Sequence, residues 1–174
     1  MKKKLKLIPA AIAALTIILL FAACGEKNDT ASQPADLNSI IEKLYQDIDV
    51  PPNETIELDK DNFEFFAFIP YGEGLSGAAA DALVNITPHS LVVIRTEDGN
   101  GAELAKQVAE NADPNKWLCV RADSLRVAYT DHYVVLVMSF TDTADAIIGN
   151  FKSIAKDIDG REMTLLSSVD YSYE

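Results

Sequence analysis

The stretch "YVVLVMSF", Tyr133 to Phe140, constrains this chain more than any other: Ser139 and the tyrosine hydroxyl are its only polar side-chain groups. Side chains alternate between the two faces of a strand, so both faces here are apolar, the mark of a central position in a sheet. Just upstream, Leu125 to Tyr129 reads as its hairpin partner, with Thr130–Asp131–His132 as the turn. The rest of the chain has to supply the other neighbours.

Helical spacing is clear in three places. Leu37, Ile40, Ile41, Leu44 and Ile48 define one apolar face, with Asp36 as N-cap and Pro51–Pro52 as a stop. "GAELAKQVAENADPNKW" places Leu104, Ala105, Val108 and Ala109 on one side, and Pro114 closes it. In "DTADAIIGNFKSIAKDI" the stripe is Ile147, Ile148, Phe151, Ile154, Ala155 and Ile158, with Thr141 or Thr143 as cap.

Between the first two helices, Phe63, Phe65, Phe66 and Phe68 form an aromatic run that suits a buried strand. "YGEGLSG" has three glycines in seven residues and reads as a loop. Ala82, Val84 and Ile86 alternate, Thr87–Pro88–His89 turns, and Leu91 to Ile94 is a β-rich run. The tail "REMTLLSSVDYSYE" fits an edge strand or a frayed end.

This order specifies an α+β fold: an antiparallel sheet of about 4–5 strands with helices mainly on one face. From Leu91 onward it becomes β-α-β-β-α-β, a ferredoxin-like arrangement, if the tail pairs.

The N-terminus has a different chemistry. Four lysines (Lys2, Lys3, Lys4 and Lys6) precede an uncharged apolar run from Leu7 to Ala23, which ends "FAAC" before the chain turns wholly polar. Seventeen residues are just long enough to span about 30 Å of hydrocarbon, so a retained anchor competes with a cleaved signal peptide, as does ordinary secretion. The small residues Ala22 and Ala23, and the absence of a following basic cluster, favour cleavage.

The ending resembles the lipobox of bacterial lipoproteins on Ala22, Ala23, Cys24 and Gly25; Phe21 departs from the leucine usual in that motif. The resemblance implies a diacylglycerol thioether on Cys24 and cleavage before it. Acyl chains of the palmitate kind would then hold the protein at the outer face of the cell membrane. Two such chains anchor stably where one binds only marginally. The organisation expected is a signal peptide over 1–23, a lipidated cysteine with a flexible tether over 24–35, and a single α+β domain over 36–174.

Composition supports a folded domain, with 48% hydrophobic and 24% charged residues. Four of the 15 basic residues lie in the first 23, which hold no acid. The remainder therefore carries 11 basic and 27 acidic side chains, a net charge of −16. Nucleic-acid binding runs through cationic contacts to phosphates, so nucleic acid is not an expected partner. Adsorption to an anionic lipid surface by charge is disfavoured for the same reason.

Catalytic, cofactor and metal motifs are not found. With Cys24 lipidated, Cys119 has no cysteine to pair with, and its neighbours in "KWLCVRAD" suggest a buried, inert thiol. His89 and His132 read as turn residues without metal-ligand spacing. Asp59 and Asp61 begin like a calcium loop, but Phe63 and Glu64 stand where that loop needs a ligand and a glycine. "EDGNG", Glu97 to Gly101, is a turn into a helix. Ser76 in "GEGLSGA" lacks the glycine two residues on that a nucleophile elbow needs, because Ala78 is there. The aromatic run from Phe63 to Tyr71, beside the glycine-rich loop, suits either a recognition groove or, in our preferred reading, core packing.

The succession of lipobox, short helix, "HSLVVIRTED", helix, "DHYVVLVMS" and final helix resembles a family of small bacterial surface lipoproteins described only as a domain of unknown function. It runs from Asp36 to about Lys156. The resemblance implies no activity and no site residues. The function expected is that of a membrane-anchored, extracytoplasmic, non-enzymatic module that binds a protein or a cell-wall component. A small-ligand or ion carrier and an envelope-acting hydrolase are the alternatives.

Overall fold

Helix α1 (Leu37–Leu44) opens the described part of the chain, which in this computed structural model covers residues 35–171. The signal peptide, Cys24 and nearly all of the tether lie outside the described residues. Asp36 caps α1 as its sequence indicates, its carboxylate accepting the Ser39 N–H at 3.2 Å. Ile40, Ile41 and Leu44 are buried.

Then follow β1 (Asn53–Leu58), α2 (Phe63–Ala67), β2 (Leu75–Ala82), β3 (Ser90–Thr96), α3 (Gly101–Asn111), β4 (Ser124–Tyr129), β5 (Tyr133–Ser139), α4 (Thr141–Asp159) and β6 (Thr164–Asp170). The fold is α+β. Its sheet is antiparallel with six strands in the order β1-β2-β3-β5-β4-β6. The expected 4–5 strands are corrected to six. β1, "NETIEL", has only two apolar residues and is an edge strand, so its alternation is weak. β6 is the other edge, and the tail therefore pairs.

Expected cover mainly on one face is also corrected. One core joins α2, α3 and Trp117 to Val92, Ile94, Leu125, Val127, Val134, Leu136 and Met138. The other joins α1 and α4 to Leu91, Val93, Ala128, Val135 and Val137. Topology explains this. The crossovers β3-α3-β4 and β5-α4-β6 step the same way along the sheet from strands of opposite direction. A shared right-handed sense then puts their helices on opposite faces. A β5 apolar on both sides requires the same outcome.

The β-α-β-β-α-β order from β3 onward is present, but its sheet order is not ferredoxin-like. There the last strand returns beside the first; here β2 already occupies that edge of β3, and β6 docks on β4.

Three local expectations change. Phe63–Ala67 is helical, not a strand: Phe63, Phe66 and Ala67 share a buried face while Phe65 is exposed. That spacing of three and four residues is helical, and it lay inside an aromatic run read by residue type. β2 begins at Leu75, inside the stretch read as loop, and ends at Ala82, so Val84 and Ile86 belong to an exposed connection. Neither Thr141 nor Thr143 caps α4; Phe140 holds the N-cap position without a side-chain bond.

Candidate functional site

β2, "LSGAAADA", is built from small side chains, and this makes room above the sheet. Ser76 and Ala78 point to the α1 face, flanked by Arg95, which opposes Ser76, and Glu57, which opposes Ala78. Ala35, Asp36, Leu37 and Asn38, at the start of α1, form the remaining wall. The result is an open cleft of about 300 Å³ lined by these residues together with Leu58 and Gly77. That is the lower end of ligand-site volumes, suited to a small ligand. Gly77 itself faces the other core, where an added Cβ would come within 2.9 Å of Leu58 and 3.1 Å of Phe63.

Arg95 is held in place. Its guanidinium lies 3.7 Å from Glu97, and Tyr133 is its neighbour across the β3–β5 pair. Burial raises the Tyr133 hydroxyl's pKa, and the Arg95 charge works against that rise. Tyr133 also feels Asp159, which belongs to a second arrangement at this end of the sheet. There His132 Nδ1–H donates to Asp159 Oδ1 at 2.7 Å, and the His132 backbone N–H donates to Oδ2 at 3.1 Å. Burial acts to raise the Asp159 pKa, but hydrogen bonds from Thr130 and His132 outweigh it and hold the carboxyl below its ordinary range. His132 is thus a turn residue as expected, with the added task of clamping that turn to the end of α4.

His89 is not a turn residue. It is fully buried, Nε2 lying 2.7 Å from the Tyr45 hydroxyl and Nδ1 2.9 Å from Ser139 Oγ. Close by, the Lys116 ammonium donates to Asp81 at 2.9 Å and to Ser90 Oγ at 3.2 Å, under the rings of Phe65, Phe66 and Trp117. These groups tie α1, β2, β3, β5 and the 112–123 loop together at the end of the sheet away from the cleft.

The expected buried thiol is overturned. Cys119 is exposed, because "KWLCVRAD" is loop: Trp117 and Ala122 turn inward while Leu118 is 91% exposed. Asp59 and Asp61 make an Asx turn with Asn62, the Asp59 carboxylate accepting the Asp61 N–H at 2.8 Å. Among the described residues, no group of three or more His, Cys, Asp or Glu is placed to hold a metal ion. Ser76 reaches the cleft; of the aromatic run, Phe63 and Phe66 are core.

Sequence reasoning missed Glu57 and Arg95. The signal was available for Arg95, which continues the phase of Leu91 and Val93 and so turns a cation toward the α1 side. No family model, curated protein or solved structure matches the chain. No helix among the described residues is long and apolar enough to cross a membrane.

Proposed function

We propose that this chain is a lipid-anchored extracytoplasmic binding module, tethered through Cys24 to the outer face of the cell membrane, with the cleft over β1–β2–β3 as its ligand site. The observation that carries the binding role is the cleft itself, where small side chains leave a floor of Ser76 and Ala78 between two charged walls. Its lining offers charge and hydrogen bonds but no imidazole or thiol to act on a ligand. The membrane anchor rests on the lipobox-like "FAAC" alone.

A ligand that binds only the folded state raises stability as its concentration passes Kd. The test is thermal unfolding with a panel of amino acids, sugars, nucleotides and short peptides, on the wild type and on Ser76→Phe, which fills the cleft. A compound that stabilises the wild type but not S76F supports the proposal. Stabilisation by none of the panel contradicts it.

A protein partner has its own observation. Leu83, Val84 and Ile86 are exposed by 60, 50 and 71% on the β2–β3 connection, at the opposite end of the sheet from the cleft. Leu118 belongs to the loop that Lys116 fastens to Asp81, at that same end.

A further inference from the structure

Resting on the cleft's reading as a ligand site, we infer that its ligand class is a small zwitterion, carrying a free ammonium and a free carboxylate. Glu57 and Arg95 line the cleft from opposite sides of β2 and on one face of the sheet. They stand two strand spacings apart, about 10 Å across the strands. Despite their opposite charges they do not pair: the ionic partner of Arg95 among the described residues is Glu97, at 3.7 Å.

This arrangement discriminates by charge. A simple anion placed between the walls meets Glu57, and a simple cation meets Arg95, so each gains one contact and suffers one repulsion. A ligand with both charges gains both contacts. Its carboxylate takes the guanidinium, whose planar fork suits it, with the Ser76 hydroxyl at hand. Its ammonium takes Glu57. Asp36, whose carboxylate accepts the Ser39 N–H, also lines the cleft. The volume of about 300 Å³ admits an amino acid or a very short peptide.

The experiment titrates the mature protein, extracted in mild detergent, with a millimolar mixture of free L-α-amino acids, following backbone amide resonances. The same mixture is supplied N-acetylated and, separately, as C-terminal amides; alanyl-alanine with free ends forms the peptide arm. Shifts centred on Glu57, Ser76 and Arg95, with affinity lower by about tenfold or more for both blocked forms, support the inference. The stronger of the amino-acid and dipeptide arms identifies the source. In Glu57→Gln, free and N-acetylated ligands should bind equally; in Arg95→Met, free and amidated ligands should. The spectra themselves report that each variant is folded. Equal binding of the blocked forms to the wild type, or no binding in any arm, overturns the inference. Binding of an uncharged compound that S76F abolishes would leave the cleft a ligand site and remove the zwitterion.

Discussion

The Tyr45 hydroxyl lies 2.7 Å from Nε2 of the fully buried His89, joining the residue that ends α1 to the residue before β3. Burial pushes the His89 pKa down to about 4, with the nearby Asp81 charge opposing the shift. In the unfolded chain that pKa is about 6.5, so between these values the unfolded state binds more protons. The contribution is complete above pH 6.5 and is lost as pH falls toward 4. About 3 kcal/mol is at stake. Urea unfolding at pH 7, 5.5 and 4 should show this slope in the wild type and not in His89→Gln.

Lys116 and Asp81 form a largely buried ion pair, their side chains 6 and 19% exposed. Asp81→Ala leaves the ammonium shielded without its counter-ion and should cost about 3 kcal/mol. Asp81→Ala/Lys116→Met removes both charges and should cost less than the single aspartate change. A double-mutant cycle read by denaturant midpoints checks this; a double variant less stable than D81A would show that no pair energy exists to recover.

Arg126 holds the β6 edge. Its guanidinium is 3% exposed and donates to Asp145 at 2.8 Å, Asp170 at 2.7 Å and the Val169 carbonyl at 2.9 Å. The two carboxylates are about 60% exposed, so water screens each pair and the carbonyl bond counts for more. Arg126→Met should cost about 1–2 kcal/mol and speed amide exchange across 164–170 before the rest of the sheet. Uniform loosening of all strands would contradict this local role.

Gly101 opens α3 against the β4–β5 turn. Its N–H donates to the Asp131 carbonyl at 2.8 Å, and an added Cβ would fall 2.1 Å from the Thr130 carbonyl oxygen. Backbone must move to admit even a methyl group. Gly101→Ala should cost about 2–3 kcal/mol, although alanine is the better helix former. An unchanged melting temperature would show that the turn yields freely.

The legible parts of this fold were those with long periodic signals. α3, α4 and the β4–β5 hairpin follow their apolar stripes, and Asp36 caps α1 as a short acceptor before an apolar face should. Legibility failed where residue type and spacing disagreed: phenylalanines favour strands, yet Phe63 and Phe66 sit one helical turn apart. It failed again where pairing partners are distant in sequence. The route of β6 to β4 depends on β2 already occupying the edge of β3, which no local pattern encodes. The cleft was hidden for the same reason. Glu57, Ser76 and Arg95 are unremarkable along the chain, and strand pairing alone brings them together.

The proposal that this domain works on a lipid tether rests on Cys24, and intact-mass and peptide mass spectrometry of the native protein test it most directly. We predict a mature chain beginning at Cys24, with residues 1–23 removed and the sulfur carrying a diacylglycerol. A free Cys24 thiol, or a chain still joined to residues 1–23, would contradict it.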